Sequence, residues 1–347
     1  MDDAAGALEA RSREARRARW AAPVLLAGAL VAPGAAAAYE TDQYLHRALP
    51  LADAVEPLNA EVNLALENIA ARWRAGPDPR RFARAVYVEL GGRHWVDRLE
   101  RWAIRSPEID KVEHYKRHSI YRGMSPFARR VGYLFGVGPT INVAGTRFGT
   151  DKLGHFISQG WKYHKRYLRN PTAEHAVRLG VRNEASIFGS PFTGSFSNAD
   201  LVANYEGLRF YRSLFEDGIV GELPAIVEFT GAGARLRRPF DFRDHVNDYW
   251  DEALNPNRFD RLMSGPMLRR LATLCPEYEA DPGLWVSSSD AELRERYSHL
   301  GMRDGRRYRL DQVCTARGPG SGGARANGRP GDRGGPGSEH PEERRNR

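Results

Sequence analysis

Apolar residues recur at helical spacing along most of the chain between residues 39 and 315. In Leu51–Trp73, for example, Leu58, Val62 and Leu66 fall on one helical face, with polar residues between them. The same spacing, interrupted by Pro and Gly, predicts further helices at Arg80–Leu90, Trp95–Ile104, Phe127–Phe135, Arg243–Leu254, Ser264–Leu274 and Asp290–His299.

The densest helical pattern lies in the centre of the chain, where three helices follow one another closely. They are predicted at Asp151–Leu168, His175–Phe188 and Ser197–Leu214. Two or three short strands are predicted between Gly218 and Arg238. The fold class is therefore mainly α, with a single helical domain, a central three-helix unit and a few short strands.

Both ends of the chain differ from this pattern. Residues 11–19 are rich in Arg, and an apolar stretch and a small-residue run ending at Ala38 follow. This order is typical of a secretory signal peptide at 1–38, cleaved after Ala38. The alternative is an uncleaved membrane anchor at residues 20–38. Residues 316–347 are Gly, Pro and Arg-rich and are predicted to be disordered, which leaves 39–315 as the helical globular domain.

The leader predicts where the protein functions and which partners it meets. We expect a periplasmic or secreted protein, or one anchored in the inner membrane by residues 20–38. The net charge of +8 is compatible with nucleic acid, anionic lipid or no charged partner. Export removes nucleic acid as a partner, so an envelope lipid, glycan or protein is the expected partner. Oligomeric state is left open.

Cysteine and lysine usage add two further expectations. The two cysteines, Cys275 and Cys314, predict one disulfide in an oxidising compartment, which would contribute roughly 3–4 kcal/mol. The alternative is a buried Cys275 and a free thiol at position 314. Only five of the 52 Lys and Arg residues are Lys, so a retained lysine suggests a need for a compact ammonium group.

The candidate site lies in the three-helix unit. Asp151 and His155 are four residues apart, as are Asp200 and Asn204, so each pair shares one helical face. Glu184 lies near the end of the helix between them. Short connections allow three such helices to bring all five side chains to one seam.

This constellation predicts acid–base or metal chemistry. Asp151 would orient His155 as a general base. Asp200 and Glu184 would bind a divalent metal ion, or one of them would donate a proton. Lys152, predicted at the rim of that face, would contact an anionic group.

Asn204 and Ser197 complete the candidate set as binding residues. The structural alternative is that Thr150 and Ser197 are N-caps and that the acids favour the helix dipole. In that case Asp151 and His155 form an ordinary pair on a helix surface.

The pattern Asp-Lys-x-x-His-Phe, followed by Phe-Ser-x-x-Asp-Leu-x-Ala-Asn-x-x-Gly, resembles a family of uncharacterised bacterial exported proteins. It is more distantly similar to YfiM-like lipoproteins and VanZ-like membrane proteins. The resemblance spans Phe148 to Gly207 and implies that Asp151, Lys152, His155, Asp200 and Asn204 occupy motif positions. It implies no settled reaction. The chain departs from both relatives, since it lacks a lipid-anchoring cysteine and a bundle of membrane spans.

Two functions are compatible with these residues, and whether the protein is an enzyme stays open. One is a periplasmic hydrolase or transferase, and the other a non-enzymatic envelope scaffold or a lipid- or protein-binding protein. Motifs for a zinc protease, a nucleophile elbow, a phosphate loop or a dinucleotide fold are missing from the sequence. A turn at Asn255-Pro-Asn257, after Trp250-Asp-Glu252, is distinctive but has no assigned chemistry.

Overall fold

The structure is a computed structural model that describes residues 38–92, 96–129, 136–185 and 194–316. In these ranges the chain is mainly helical, with a few short strands, as the apolar spacing predicts. The predicted leader and the predicted tail fall outside the described residues, except for their boundary residues. No helix in the described ranges has the length and apolarity to cross a bilayer.

The helices, numbered in chain order, connect through short turns and a few single-turn 3₁₀ segments. They are α1 (Val55–Arg72), α2 (Pro79–Val86), α3 (Arg98–Arg105), α4 (Pro126–Arg129), α5 (Asp151–Gly154), α6 (Gly160–Tyr167), α7 (Ala173–Ala185), α8 (Asn198–Ser213), α9 (Arg261–Leu271), α10 (Cys275–Ala280), α11 (Asp290–Arg296) and α12 (Leu310–Thr315). Two π-helical turns, Tyr87–Gly91 and His155–Gln159, follow α2 and α5 directly.

Among the described residues, the strands form four separate two-stranded sheets. They are β1 (Ala38–Thr41), β2 (Gly136–Gly138), β3 (Thr140–Val143), β4 (Thr146–Gly149), β5 (Ser195–Phe196), β6 (Val227–Thr230), β7 (Gly233–Leu236) and β8 (Arg258–Phe259). β1 pairs in parallel with β2, whereas β3–β4, β5–β8 and β6–β7 are antiparallel. The β6–β7 hairpin is the predicted strand pair, and the β3–β4 hairpin was not predicted.

One predicted helix is wrong. Over Arg243–Leu254 the chain makes only two single 3₁₀ turns, Phe242–Asp244 and Asp248–Trp250. The side chains of Asp241 and Asn247 each accept a hydrogen bond from a backbone N–H two residues later. Such local bonds compete with a continuous helix, and the apolar spacing here serves an irregular segment instead.

The central helical unit is formed by α5, its π-helical turn and α6, packed along α8. The two segments approach most closely at Gly160 and Gly207. A Cβ on Gly207 would lie 2.0 Å from the carbonyl oxygen of Phe156, and one on Gly160 would lie 2.6 Å from the Gly207 Cα. This backbone contact brings His155 opposite Asn204.

Two adjoining hydrophobic clusters form the core. The larger joins α1, α2 and the central unit around Phe156, Phe210 and Trp250. The smaller cluster joins α9 and α12 around Trp285 and Tyr308. The predicted Cys275–Cys314 disulfide is confirmed, with its Cα atoms 5.5 Å apart, and it links α10 to α12 in the smaller cluster.

Candidate functional site

The candidate site is built where the β3–β4 hairpin leads into α5 and meets the first turn of α8. Asp151 begins α5 directly after the hairpin, and His155 lies one turn later, at the first residue of the π-helical turn. Asp200 lies in the first turn of α8, and Asn204 one turn further on. Helical spacing therefore places the four side chains on two facing stripes, as predicted.

Lys152 occupies the centre of the site and is 1% exposed. Its Nζ lies 2.8 Å from Asp151 Oδ2, 2.8 Å from Asp200 Oδ1 and 2.8 Å from Glu252 Oε1. The ammonium group donates hydrogen bonds to Asp151 and Glu252, and Asp200 forms an ion pair with it. The prediction that Lys152 lies at the rim of the site is therefore wrong.

The pKa values follow from this arrangement. Burial alone lowers the pKa of Lys152, but Asp151, Asp200 and Glu252 outweigh it and raise the pKa well above its usual value. Burial raises the pKa of Glu252 and that of Asp151, and the neighbouring carboxylates raise both further, although Lys152 lowers them. At Asp200 the charges of His155 and Lys152 outweigh burial and lower the pKa.

Glu252 is the site residue that sequence reasoning missed. It lies in the irregular segment that replaces the predicted helix, about a hundred residues from Lys152, and is 6% exposed. Its Oε1 also accepts a hydrogen bond from Ser197 Oγ at 3.2 Å. The only sequence feature that points to it is the segment Trp250-Asp-Glu252, to which the sequence assigns no chemistry.

Ser197 has the structural role that the capping pattern predicts. Its Oγ accepts a hydrogen bond from the backbone N–H of Asp200 at 3.2 Å, which caps α8. Thr150, the other predicted cap, makes no side-chain cap hydrogen bond. The start of α8 is thus fixed against Glu252 through one hydroxyl.

His155 contacts α8 through both of its ring nitrogens. Nδ1 lies 3.0 Å from Asn204 Oδ1, and Nε2 lies 3.2 Å from Asp200 Oδ2. The expectation that Asp151 orients His155 is therefore corrected: Asn204 and Asp200 do so, while Asp151 binds Lys152. The ring is 24% exposed, so solvent reaches this side of the site.

Asp151 Oδ1 is the remaining carboxylate oxygen at the centre. It is buried and has no hydrogen-bond partner among the described residues. Asp151, His155 and Asp200 each offer one ligand atom, and these three atoms lie within 4.8 Å of one another. Two carboxylates and an imidazole are a donor set that suits Zn²⁺ and similar divalent ions.

A second acidic pair lies behind α5. Asp97 and Glu100 are each 5% exposed, and their carboxylates approach Gly154. Burial raises the pKa of Asp97 to about 6, although Ser158 Oγ donates a hydrogen bond to it at 2.7 Å. Burial and the neighbouring Asp151 raise the pKa of Glu100 well above its usual value. The pair therefore places two further buried carboxyl groups beside the candidate site.

Glu184 is the predicted site residue that is not placed. It belongs to the last turn of α7, but its side chain falls outside the described residues. The structure brings together the predicted residues Asp151, Lys152, His155, Ser197, Asp200 and Asn204, and it adds Glu252.

The chain was compared with protein family models, with curated proteins and with solved structures, and none of them matches it. The resemblance to exported proteins therefore stays a prediction. Inference about function rests on the geometry of the site.

Proposed function

We propose that this protein is exported to the cell envelope and that Asp151, His155 and Asp200 bind a divalent metal ion. That ion would serve a hydrolytic or group-transfer reaction on an envelope component. The contact between His155 Nε2 and Asp200 Oδ2 carries the proposal.

The hydrogen bond at the other ring nitrogen, Nδ1, determines whether Nε2 presents a lone pair at this contact. Asn204 Oδ1 accepts a hydrogen bond from Nδ1–H, and a neutral ring then has its lone pair at Nε2. That lone pair faces a carboxylate oxygen at 3.2 Å, and two electron-rich atoms repel unless a positive charge lies between them. A proton supplies that charge in an imidazolium, and a metal ion supplies it in a metal site. An imidazole fixed by a carbonyl at its second nitrogen is typical of metal-binding histidines.

The oxygens that Lys152 does not contact favour the metal ion. Lys152 Nζ lies against Asp151 Oδ2 and Asp200 Oδ1. The other oxygens of the same two residues, Asp151 Oδ1 and Asp200 Oδ2, are left for a second cation. Lys152 would thus hold both ligands in place, and His155 would orient against Asn204. A divalent ion bound there would polarise a substrate oxygen.

Export is supported by the disulfide. Cys275 and Cys314 are bonded, and such structural disulfides persist mainly in oxidising compartments. The protein, expressed from its full sequence without an N-terminal tag, should be recovered from the periplasmic or secreted fraction. Its mature N-terminus should be Tyr39. Recovery in the cytoplasm with an intact leader would contradict export.

The metal site is tested with the purified, disulfide-bonded mature protein. We expect a stoichiometric amount of metal after incubation with Zn²⁺ or Mn²⁺ and desalting, and a rise in Tm that EDTA reverses. His155→Ala and Asp200→Asn should each weaken the affinity for the metal at least about tenfold. His118→Ala, at an exposed histidine, is the matched control.

Catalysis needs a separate measurement. Hydrolysis of model phosphate and carboxylic esters should require the metal and be lost in His155→Ala, while the thermal melt of that variant stays near that of the wild type. Failure of the wild type to bind any divalent ion would overturn the proposed site.

The burial of Lys152 favours a second candidate function, a non-enzymatic envelope scaffold. An ammonium with three carboxylate partners completes a polar network without any ligand. This candidate predicts no metal uptake by the wild type, so the metal measurement separates it from the first.

A further inference from the structure

A cavity of about 310 Å³ lies beside the turn at Asn255-Pro-Asn257. This turn is distinctive in the sequence, and the proposed function does not involve it. Its wall includes Asn255 and Pro256 on one side, and Arg303 to Arg306 on the other. Cavities of this size accommodate small molecules or single chemical groups of larger ones.

The walls of this cavity are rich in arginine. Four arginines and two aspartates line it, namely Arg294, Arg303, Arg306, Arg309, Asp290 and Asp304. These side chains carry a formal excess of two positive charges, although Asp311, which is not part of the wall, also pairs with Arg309 Nε at 3.0 Å. A positive excess around one concave surface favours an anion.

The two aspartates form ion pairs with three of the four arginines. Asp290 Oδ2 lies 2.7 Å from Arg294 Nη2 and 3.3 Å from Arg309 Nη1. Asp304 accepts two hydrogen bonds from Arg306, both at 3.0 Å. The paired guanidinium groups are thereby oriented, and each keeps donors that its aspartate does not use.

Arg303 is the arginine without such a partner. Across residues 38–92, 96–129, 136–185 and 194–316, no carboxylate forms an ion pair with it. Its guanidinium instead lies over the Phe196 ring, 4.3 Å from the centroid. Stacking orients the planar group and leaves its hydrogen-bond donors available.

The backbone around Arg303 is fixed from both sides. Asn198 Nδ2 donates to the carbonyl oxygens of Pro256 and Arg303, both at 2.8 Å, and Asn198 Oδ1 accepts from the Arg303 N–H at 2.9 Å. A Cβ on Gly305 would lie 2.0 Å from the Pro256 carbonyl oxygen, so only glycine allows this contact. One asparagine thus ties the two walls of the cavity together.

We propose that this cavity binds a phosphate group, with Arg303 as its main ligand. A phosphate monoester carries about −1.5 to −2 charges at pH 7, so the positive excess of the wall attracts it more strongly than an anion with one charge. The oxygens of a phosphate can accept hydrogen bonds from several guanidinium groups at once. A carboxylate has only two oxygens, and in this cavity one or two arginines already pair with each carboxylate. The phosphate would come from a soluble phosphorylated compound or from a lipid headgroup.

Calorimetric titration of the mature protein with inorganic phosphate and with glucose 6-phosphate tests the proposal. Arg303→Ala should weaken binding of both about tenfold, since it removes hydrogen bonds to a charged group. Arg303→Lys keeps the charge but not the fork, and it should weaken binding less. Arg178→Ala, at an exposed arginine on α7, is the matched control and should bind like the wild type.

A vesicle arm identifies the source of the phosphate. Sedimentation with vesicles that contain phosphatidic acid, a lipid phosphate monoester, but not with phosphatidylcholine vesicles, that is lost in Arg303→Ala assigns the cavity to a lipid headgroup. Binding of the two soluble phosphates without sedimentation assigns it to a soluble compound. Absence of binding in both arms, or binding that Arg303→Ala leaves unchanged, overturns the proposal. Neither result depends on metal uptake at Asp151, His155 and Asp200.

Discussion

Lys152 shows how one side chain determines the interior of the candidate site. A charged group that is 1% exposed is stable only when it is fully paired, and here three carboxylates pair it. The scarcity of lysine in an arginine-rich chain suggested a need for a compact ammonium. The three 2.8 Å contacts around one Nζ agree with that suggestion.

Replacing Lys152 should therefore destabilise the fold strongly. In Lys152→Met the carboxylates of Asp151, Asp200 and Glu252 lose their common cation, and we expect a loss of about 3–5 kcal/mol at pH 7. Urea unfolding followed by circular dichroism measures it. Lys165→Met, at an exposed lysine, is the control and should cost less than about 1 kcal/mol. Equal losses in the two variants would show that the buried ion cluster contributes little.

Glu206 gives a prediction about pH. Burial raises the pKa of this fully buried carboxylate, but a hydrogen bond from His245 and the charges of Arg209 and Arg296 lower it to about 2. A depressed pKa stabilises the folded state above the unfolded value of about 4.5, and this stabilisation is lost as pH falls towards 2. The shift corresponds to about 3 kcal/mol.

The free energy of unfolding of Glu206→Gln should accordingly lie about 3 kcal/mol below that of the wild type at pH 7. The gap should narrow between pH 4.5 and pH 2. Urea titrations at pH 7, 4.5 and 3 measure it. Glu228→Gln, in an exposed pair with Arg235, is the control and should change stability by less than about 1 kcal/mol at every pH. A constant gap across the range would contradict the depressed pKa.

At this scale the sequence predicted part of the site, for a physical reason. Asp151, His155, Asp200 and Asn204 lie at spacings of four on regular helices, and helical periodicity alone puts each pair on one face. Glu252 lies in an irregular segment, where no periodicity says which way a side chain points. Its contact with Lys152 depends on tertiary packing that a single sequence does not encode visibly.

At the scale of elements, the close approach of α6 and α8 determines the geometry of the site. Gly207→Ala would place a Cβ 2.0 Å from the Phe156 carbonyl oxygen and push the helices apart. We expect a loss of about 3 kcal/mol in the free energy of unfolding, measured by urea denaturation.

Gly233→Ala is the control for this substitution. Gly233 lies in β7 outside the left-handed backbone region that favours glycine, and its added Cβ would come no closer than 3.5 Å to a neighbouring atom. The stability of this variant should change by less than about 1 kcal/mol, because the added methyl makes only ordinary van der Waals contacts. A similarly small effect of Gly207→Ala would contradict the close packing.

The elements themselves were predicted unequally. Long segments with an apolar stripe, such as α1 and α8, were predicted well, because burial of one face defines them. The β3–β4 hairpin was missed, because its turn places Ala144 at a φ of 52°, where asparagine or glycine is usual, so the sequence lacks the common turn signal. The π-helical turn at His155–Gln159 was also missed, because widening a helix by one residue changes no pattern that a sequence shows.

At the scale of the whole molecule, the disulfide links α10 to α12 beside the smaller hydrophobic cluster. Cys275 and Cys314 are 39 positions apart, and closing a loop of that length contributes about 3–4 kcal/mol. The double variant Cys275→Ser/Cys314→Ser should lose that amount in urea unfolding. Wild type in dithiothreitol should then unfold like the variant. A reduced protein as stable as the oxidised one would contradict this contribution.

The position of Thr41 has a consequence for whatever precedes the folded part. Its side-chain methyl fills the space that a Cβ on Gly149 would occupy, and Asp151 Oδ1 lies 2.7 Å from the same point. Three residues reach no further than about 10 Å, so the junction at Ala38 is tethered next to the polar centre. If residues 1–38 are the proposed leader, its retention would hold that centre near the bilayer surface, whereas its cleavage would leave a free α-ammonium group within the same short radius.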